Sequence, residues 1–227
     1  MADVKKLLKS FKDFHKNKGK EYNLKIWDKG NKVLYDLCKK YPEHKEEDEI
    51  FAKIWLIGRA YSVAIERRPI EKNKKKKSND DFYKDVVKKI RKSEFDKKIK
   101  NIPIKGGRLA KKNIKIICDV HSYIIKILKP LTKQHNISFA SKYLHFHRPL
   151  VPIYDSRAKK SIARIFRENR YLKECERKLN IKKSDSGKEY QSFVEKIFCL
   201  QSLLDEKCKK STMRDIDKYL IWYRRQI

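Results

Sequence analysis

Glycine and proline are scarce in this sequence, which has six of each among its 227 residues. Both residues interrupt helices, so their scarcity favours long helices over a turn-rich β fold. No stretch approaches 18 consecutive apolar residues, and we therefore predict no membrane-spanning segment and no membrane partner. The amino terminus also lacks the apolar core and small-residue cleavage site of a signal peptide, so we expect a cytoplasmic protein.

Cysteine is infrequent and poorly arranged for cross-linking or metal binding. The five cysteines are Cys38, Cys118, Cys175, Cys199 and Cys208. Their number is odd and no two have C-x-x-C spacing, which favours reduced thiols over a disulfide framework or a zinc site. We predict no metal and no other cofactor.

Acidic residues are too few to balance the basic ones. There are 60 lysine and arginine residues against 29 aspartate and glutamate residues, which leaves a net charge of +31 at pH 7. A field of this strength attracts polyanions and releases their counterions on contact. A codon bias toward lysine in an AT-rich genome is an alternative source of part of this excess. We nevertheless predict a nucleic acid partner, with double-stranded DNA favoured, and a monomeric protein.

Apolar residues recur with helical periodicity along most of the chain. The pattern predicts helices that include 28–41, 46–68, 80–99 and 109–128. The last of these is rich in β-branched residues, so a strand remains an alternative there. We predict an all-α fold of about 8–10 helices in a single domain over 1–227. A division into two lobes is an option, with 1–100 and 186–227 in one lobe and 101–185 in the other.

A compact polar group occurs in the segment 138–162, SFASKYLHFHRPLVPIYDSRAKKSI. On a helix over 138–147, apolar side chains share one face, while Lys142 and His145 lie on the polar arc. An extended connector follows because residues before proline avoid the helical region. Asp155 stands where the next helix is predicted to begin, so it is a candidate N-cap.

Asp155 has two interpretations. Helix capping alone explains an aspartate at this position. A carboxylate held ionised at a helix N-terminus can also stabilise the cationic sugar that forms when a glycosidic bond breaks. Lys142 on the facing helix is a candidate nucleophile if burial lowers its pKa.

This order of lysine helix, proline-containing connector and aspartate-started helix resembles the helix-hairpin-helix DNA glycosylase superfamily, near its archaeal 8-oxoguanine branch. The resemblance covers roughly 137–166, with VPIYDS in place of the superfamily's Pro-Val-Asp-like turn. It implies a hairpin-like helix pair at the active site, Asp155 as the catalytic aspartate and Lys142 as the lysine that forms a Schiff base in bifunctional members. No four-cysteine motif is present, so the resemblance implies no iron–sulfur cluster.

The predicted site extends beyond the two catalytic candidates. Candidates for contacts to the extruded base are the histidine His145 and a group of aromatic residues. Those aromatic residues are Trp55, Tyr61, Tyr143, Tyr154 and Trp222. Paired glycines before a helix can present N–H groups to a phosphate, although a plain turn explains them equally well. Candidate contacts to the DNA backbone are Lys105, Gly106, Gly107, Arg108, Lys111, Arg148, Arg157, Lys159 and Lys160.

Three functions therefore remain open at the level of sequence. The first is a DNA glycosylase that extrudes and excises a damaged or modified base, in repair or in defence against viral DNA. The second is a non-enzymatic protein that binds DNA or RNA, in which Asp155 is only a cap. The third is a nuclease or RNA-targeting toxin that uses His145 and Lys142.

Overall fold

The computed structural model of the protein describes residues 2–17, 22–67, 78–104, 107–182, 187–208 and 210–225. Over these ranges the chain forms eleven α-helices and no β-strand. The prediction of an all-α fold is confirmed, and the strand alternative for 109–128 is wrong. The helices are α1 (Ala2–Asn17), α2 (Tyr22–Lys40), α3 (Glu47–Ala60), α4 (Asn79–Arg91), α5 (Phe95–Ile99), α6 (Lys111–Thr132), α7 (Ile137–His147), α8 (Ser156–Glu168), α9 (Arg170–Leu179), α10 (Gly187–Lys207) and α11 (Met213–Arg225).

Buried apolar side chains from the helices form one hydrophobic cluster. Helix α7 is the most enclosed element, since every residue from Phe139 to His147 is buried. It packs against α2, α3 and α6. A polar side chain on α7 must therefore find its hydrogen-bond partners inside the protein or face a cavity. The suggested division into two lobes stays a prediction.

Helix α3 is shorter than its apolar pattern suggests. The sequence predicts a helix as far as residue 68, whereas α3 ends at Ala60. Ser62 adopts a positive φ of 53°, which turns the chain back on the helix. An ideal Cβ at Gly58 would lie 3.3 Å from the Cα of Ala64, so only glycine allows this close approach without a shift. The early end of α3 leaves Tyr61 free to face a cavity.

The predicted helix over 80–99 is divided into α4 and α5. Ser93 occupies the break between them. Its hydroxyl donates to the carbonyl of Ile90 at 2.6 Å and accepts from the N–H of Phe95 at 3.2 Å. A serine side chain that bonds to nearby backbone groups competes with helix continuation.

Two cysteines form a pair that the sequence analysis did not expect. Cys175 on α9 and Cys199 on α10 are joined as a disulfide, with Cα atoms 5.9 Å apart. Within the described ranges, Cys38, Cys118 and Cys208 are not part of a disulfide. The expectation of unpaired cysteines is thus wrong for this pair. Packing of α9 on α10 brings the two residues together although 24 positions separate them in sequence, which spacing rules do not detect.

No helix within the described ranges has the length and apolar character needed to cross a membrane.

Candidate functional site

The site is built around the connector between α7 and α8, which is fixed to α7 by hydrogen bonds. Ser138 on α7 donates its hydroxyl to the carbonyl of Tyr154 at 2.9 Å. Ser141, one turn further on, accepts from the N–H of Tyr154 at 3.0 Å. These two serines hold the connector against the helix, so Lys142 and Asp155 have defined positions relative to each other.

Lys142 is a buried amine with two protein acceptors. Only 2% of the residue is exposed. Its Nζ donates to Ser138 Oγ at 2.7 Å and to the carbonyl of Tyr154 at 3.2 Å, and it lies 5.5 Å from the ring centre of Tyr61. Burial lowers the pKa of Lys142, while the negative charges of Asp155 and Asp217 act in the opposite direction. An ammonium has three N–H donors, so one remains for a ligand.

Asp155 is the N-cap of α8, as predicted. Its Oδ1 accepts from the N–H of Ala158 at 2.8 Å. The residue is partly exposed and lines the same cavity as Lys142. The cap bond orients the carboxylate toward the N-terminus of α8.

A cavity of about 690 Å³ is lined by residues of α2, α3, α7, α8 and α11 and of the segments that follow α3 and precede α8. It brings together six residues that the sequence analysis proposed for catalysis, base binding or phosphate contact. These are Tyr61, Lys142, Tyr154, Asp155, Arg157 and Lys159. Tyr154 donates its hydroxyl to Glu189 at 2.5 Å, and Lys159 forms an ion pair with the same carboxylate.

The other wall of the cavity was missed by sequence reasoning. It consists of side chains from α2 and α11, namely Trp27, Arg214, Asp217, Lys218, Ile221 and Arg225. Trp27 is 48% exposed, and its ring centre lies 6.0 Å from that of Tyr61. The segment RDIDK carries charges at positions 214, 215, 217 and 218. These α11 side chains come close to Lys142 only through packing between helices that are distant in sequence, and no local sequence pattern indicates such packing.

Asp217 has an unusual environment. It is only 6% exposed, and Arg214 donates to its Oδ2 at 2.5 Å. Burial raises the pKa of Asp217 to about 6, although Arg214 opposes this shift. The sequence contained one signal for it: an aspartate sits inside the apolar stripe formed by Ile216, Tyr219 and Leu220.

His145 is not at the cavity. It is fully buried, with Nδ1 2.7 Å from the carbonyl of Val151 and Nε2 2.5 Å from the hydroxyl of Tyr35. Because the carbonyl only accepts, Nδ1 carries the proton and Nε2 accepts from Tyr35. Burial lowers the pKa of His145 to about 3, so the ring is neutral at physiological pH. The predicted contact of His145 with substrate is therefore corrected to a structural role.

Three predicted base-binding aromatic residues also lie elsewhere. Tyr143 is fully buried and its hydroxyl lies 2.7 Å from His44 Nε2. Trp55 is 40% exposed on the outer face of α3, stacked on Phe51. Trp222 packs against Phe14 with ring centres 5.8 Å apart. A helical face shows which residues are buried, but it does not show which of them border a cavity.

The residues predicted to contact the DNA backbone differ in their exposure to solvent. Arg148 is buried, and its guanidinium donates to the carbonyls of Ile99, Ile102 and His147, so the predicted phosphate contact is wrong. Arg108 is half exposed and paired with Asp205.

The paired-glycine segment is only partly described. Gly107 has a φ of 55°, and its carbonyl accepts from the N–H of Met213 at 2.7 Å. Its contact with the DNA backbone stays a prediction. Lys105 and Gly106 lie outside the described residues. Lys111 and Lys160 are exposed on α6 and α8.

No group of three or more His, Cys, Asp or Glu side chains in the described part of the chain is arranged to hold a metal ion.

The molecule is thus an all-helical protein with a lysine, two carboxylates and several cationic side chains around one cavity. A family model described as the HI_0787_N N-terminal domain matches residues 3–151, which is more than half of the chain, so the chain belongs to this family. No curated protein and no solved structure matches it. The matched region ends in the connector after α7; it includes Lys142 and stops before Asp155 and Asp217.

Proposed function

We propose that the protein is a DNA N-glycosylase that excises a damaged or modified base extruded into the cavity. The observation that carries this proposal is the placement of Lys142 and Asp155 on the wall of one cavity of about 690 Å³. Both residues were candidates on sequence grounds alone. Such a cavity lies within the usual size range for small-molecule sites, which extends from about 300 to 1,000 Å³.

Lys142 has the properties of an amine nucleophile. Burial favours its neutral form, because the charged form loses hydration inside the protein. Ser138 Oγ and the carbonyl of Tyr154 fix the position of its Nζ. A neutral amine so placed can attack C1′ of the sugar and displace the base, which leaves the sugar attached to the lysine. If water attacks instead, Lys142 remains a cation beside the site.

Asp155 has the complementary role. As the base leaves, positive charge develops on the sugar, and a fixed carboxylate stabilises that charge more effectively than mobile water does. The bond from the Ala158 N–H leaves the second oxygen of Asp155 for the sugar or for the attacking nucleophile. This oxygen is the one we expect to contact substrate.

The remaining walls suit an extruded nucleotide. Trp27, Tyr61 and Tyr154 offer aromatic surfaces on which a base can stack. Arg157 is exposed at the same cavity and can contact a flanking phosphate. The net charge of +31 supplies the long-range attraction to DNA that precedes extrusion.

The test is incubation of the protein with duplexes that each carry one damaged or modified base. Alkali cleavage reports abasic sites, and borohydride reduction traps any Schiff base. We expect Asp155→Asn to lower base release by at least 100-fold while duplex binding stays within threefold. Lys142→Gln should abolish the borohydride adduct. Asp36→Asn on the exposed side of α2 is the matched control for loss of one carboxylate.

A second function is a non-enzymatic nucleic-acid-binding protein. The cap bond of Asp155 favours it, because this bond alone accounts for the residue. If wild-type protein binds duplexes and releases no base from a broad panel, this second function replaces the first. The nuclease or toxin alternative loses support, since His145 is buried and both its ring nitrogens have protein partners.

A further inference from the structure

A second carboxylate at the cavity, that of Asp217, has one oxygen without a hydrogen-bond partner among the described residues. Asp217 lines the cavity from α11 and is 6% exposed. Its Oδ2 accepts from Arg214, whereas its Oδ1 has no hydrogen-bond partner among the described residues. A buried polar atom without a partner is costly, so its retention in a cavity wall points to a partner supplied by the ligand.

Four charged groups act on this carboxylate. Arg214 and Lys218 belong to the same helix, Lys142 approaches from α7 and Asp155 approaches from α8. Lys218 is occupied by Asp28 on α2, with its Nζ 2.7 Å from Asp28 Oδ2. Arg214 holds Oδ2, which leaves Oδ1 as the buried oxygen that has no hydrogen-bond partner among the described residues.

We propose that Asp217, through Oδ1, is the proton donor to the leaving base, so that bases which are uncharged in DNA depart as neutral molecules. The proposal rests on the proposed function and assigns the site a substrate class: bases whose departure requires protonation. Asp155 and Asp217 then have separate roles, since Asp155 acts beside the sugar and Asp217 supplies a proton to the base.

The step balances as a hydrolysis. The C1′–N bond breaks and its electron pair passes to the base, while the proton of Asp217 moves to a nitrogen or oxygen of the base. Water adds to C1′ and loses a proton, and solvent returns a proton to Asp217. The alternative nucleophile, Lys142, takes the place of water in the first attack and leaves the role of Asp217 unchanged.

The environment of Asp217 agrees with this role. Burial, reinforced by the negative charge of Asp155, raises its pKa to about 6, while Arg214, Lys142 and Lys218 oppose the shift. A carboxyl group with this pKa is protonated in part of the protein molecules near pH 7, and those molecules can donate a proton to the base. General acid groups of this kind contribute about 10² to 10⁴ in rate.

The experiment compares wild-type protein and Asp217→Asn on two kinds of duplex under single-turnover conditions. One kind carries the neutral bases 8-oxoguanine, hypoxanthine or uracil. The other carries 7-methylguanine, which is already cationic and leaves as a neutral base without a proton. We expect Asp217→Asn to slow release of neutral bases by about 100-fold or more and to change release of 7-methylguanine by less than threefold.

The pH profile separates a proton donor from a structural role. For wild type, release of neutral bases should fall about tenfold for each pH unit above the pKa of Asp217, which is about 6. Asp217→Asn should lose this dependence and Asp217→Glu should retain it. The melting temperature of each variant shows whether a loss of base release is caused by unfolding. Asp36→Asn is the control with the same change of charge.

Each other outcome overturns the proposal. Equal slowing on both kinds of duplex, or a wild-type pH dependence that survives in Asp217→Asn, assigns Asp217 a structural role. Wild-type release of 7-methylguanine alone rejects the proton donor and leaves the glycosylase intact. Wild-type protein that releases no base from either kind of duplex rejects this inference, and no release from the broad panel of modified bases rejects the proposed function as well.

Discussion

At the scale of single residues, the enclosed helices α6 and α7 keep several histidines neutral. His121 on α6 is fully buried, donates from Nε2 to the carbonyl of Ile137 at 3.0 Å and stacks on Tyr190 with ring centres 3.7 Å apart. Burial lowers the pKa of His121 to about 4. His145 follows the same pattern, because protonation would place an unsolvated charge inside the core.

Acid should therefore destabilise the fold through His121. The unfolded histidine binds a proton near pH 6.5 and the folded one only near pH 4, so its contribution is complete above pH 6.5 and is lost as pH falls. His121→Gln should remove about 1.5 kcal/mol of the decrease in unfolding free energy between pH 6.5 and pH 5. Chemical denaturation at a series of pH values measures this. The exposed His135→Gln is the control, and parallel curves for His121→Gln and wild type would contradict the expectation.

At the scale of elements, helix α8 depends on one residue for two properties. Asp155 caps the helix through its bond to the Ala158 N–H and also lines the cavity. Capping requires only a side-chain oxygen that accepts a hydrogen bond, whereas stabilisation of a cationic sugar requires a negative charge. Substitutions that keep the oxygen but remove the charge can separate these properties.

We expect Asp155→Asn to leave the unfolding free energy within about 0.5 kcal/mol of wild type, because asparagine is a good N-cap. Asp155→Ala should lower it by about 0.5–2 kcal/mol. Both variants should lose base release to a similar extent. Thermal melting and the excision assay measure the two effects on the same samples. Full excision by a stably folded Asp155→Asn would show that Asp155 is only a cap.

The elements also show which features were predictable from sequence. The cap at Asp155 follows from an aspartate that directly precedes a predicted helix, and its bond is present. Thr212 and Asp215, three positions apart at the start of α11, have the spacing of a capping box and make both of its bonds. The polar arc with Lys142 follows from helical periodicity. The end of α3 near Gly58 was not predictable, because it depends on a backbone approach that apolar spacing does not encode.

The second wall of the cavity was beyond sequence reasoning for a different reason. Asp28 on α2 and Lys218 on α11 form an ion pair across 190 residues. Only tertiary packing places Asp217 opposite Lys142. In a lysine-rich sequence, a specific ion pair such as Asp28–Lys218 cannot be distinguished from the many exposed charges. Arg148 shows the opposite error. It was predicted to contact DNA at the surface, but it is buried and donates to three backbone carbonyls.

At the scale of the whole molecule, the charge of +31 should make DNA binding strongly dependent on salt. If the protein neutralises six to ten phosphates, affinity for an undamaged duplex should fall by about 10³ to 10⁵ between 50 and 200 mM salt. Fluorescence anisotropy across a salt series gives the slope. Arg157→Ala at the cavity should reduce the magnitude of the slope of log affinity against log salt concentration by about one. Lys88→Ala on α4, which does not border the cavity, is the matched control. Equal effects of the two variants would place the DNA contact elsewhere.

The position of α11 has a consequence for how the protein matures during translation. Lys142 and Asp155 leave the ribosome well before Arg214 and Asp217, yet the cavity needs α11 to close against α2 and α8. A nascent chain that ends before Met213 therefore carries the amine and the first carboxylate beside an open face. Because α11 supplies one wall of the cavity, Lys142 is fully enclosed only after α11 has been synthesised and has packed against the rest of the fold.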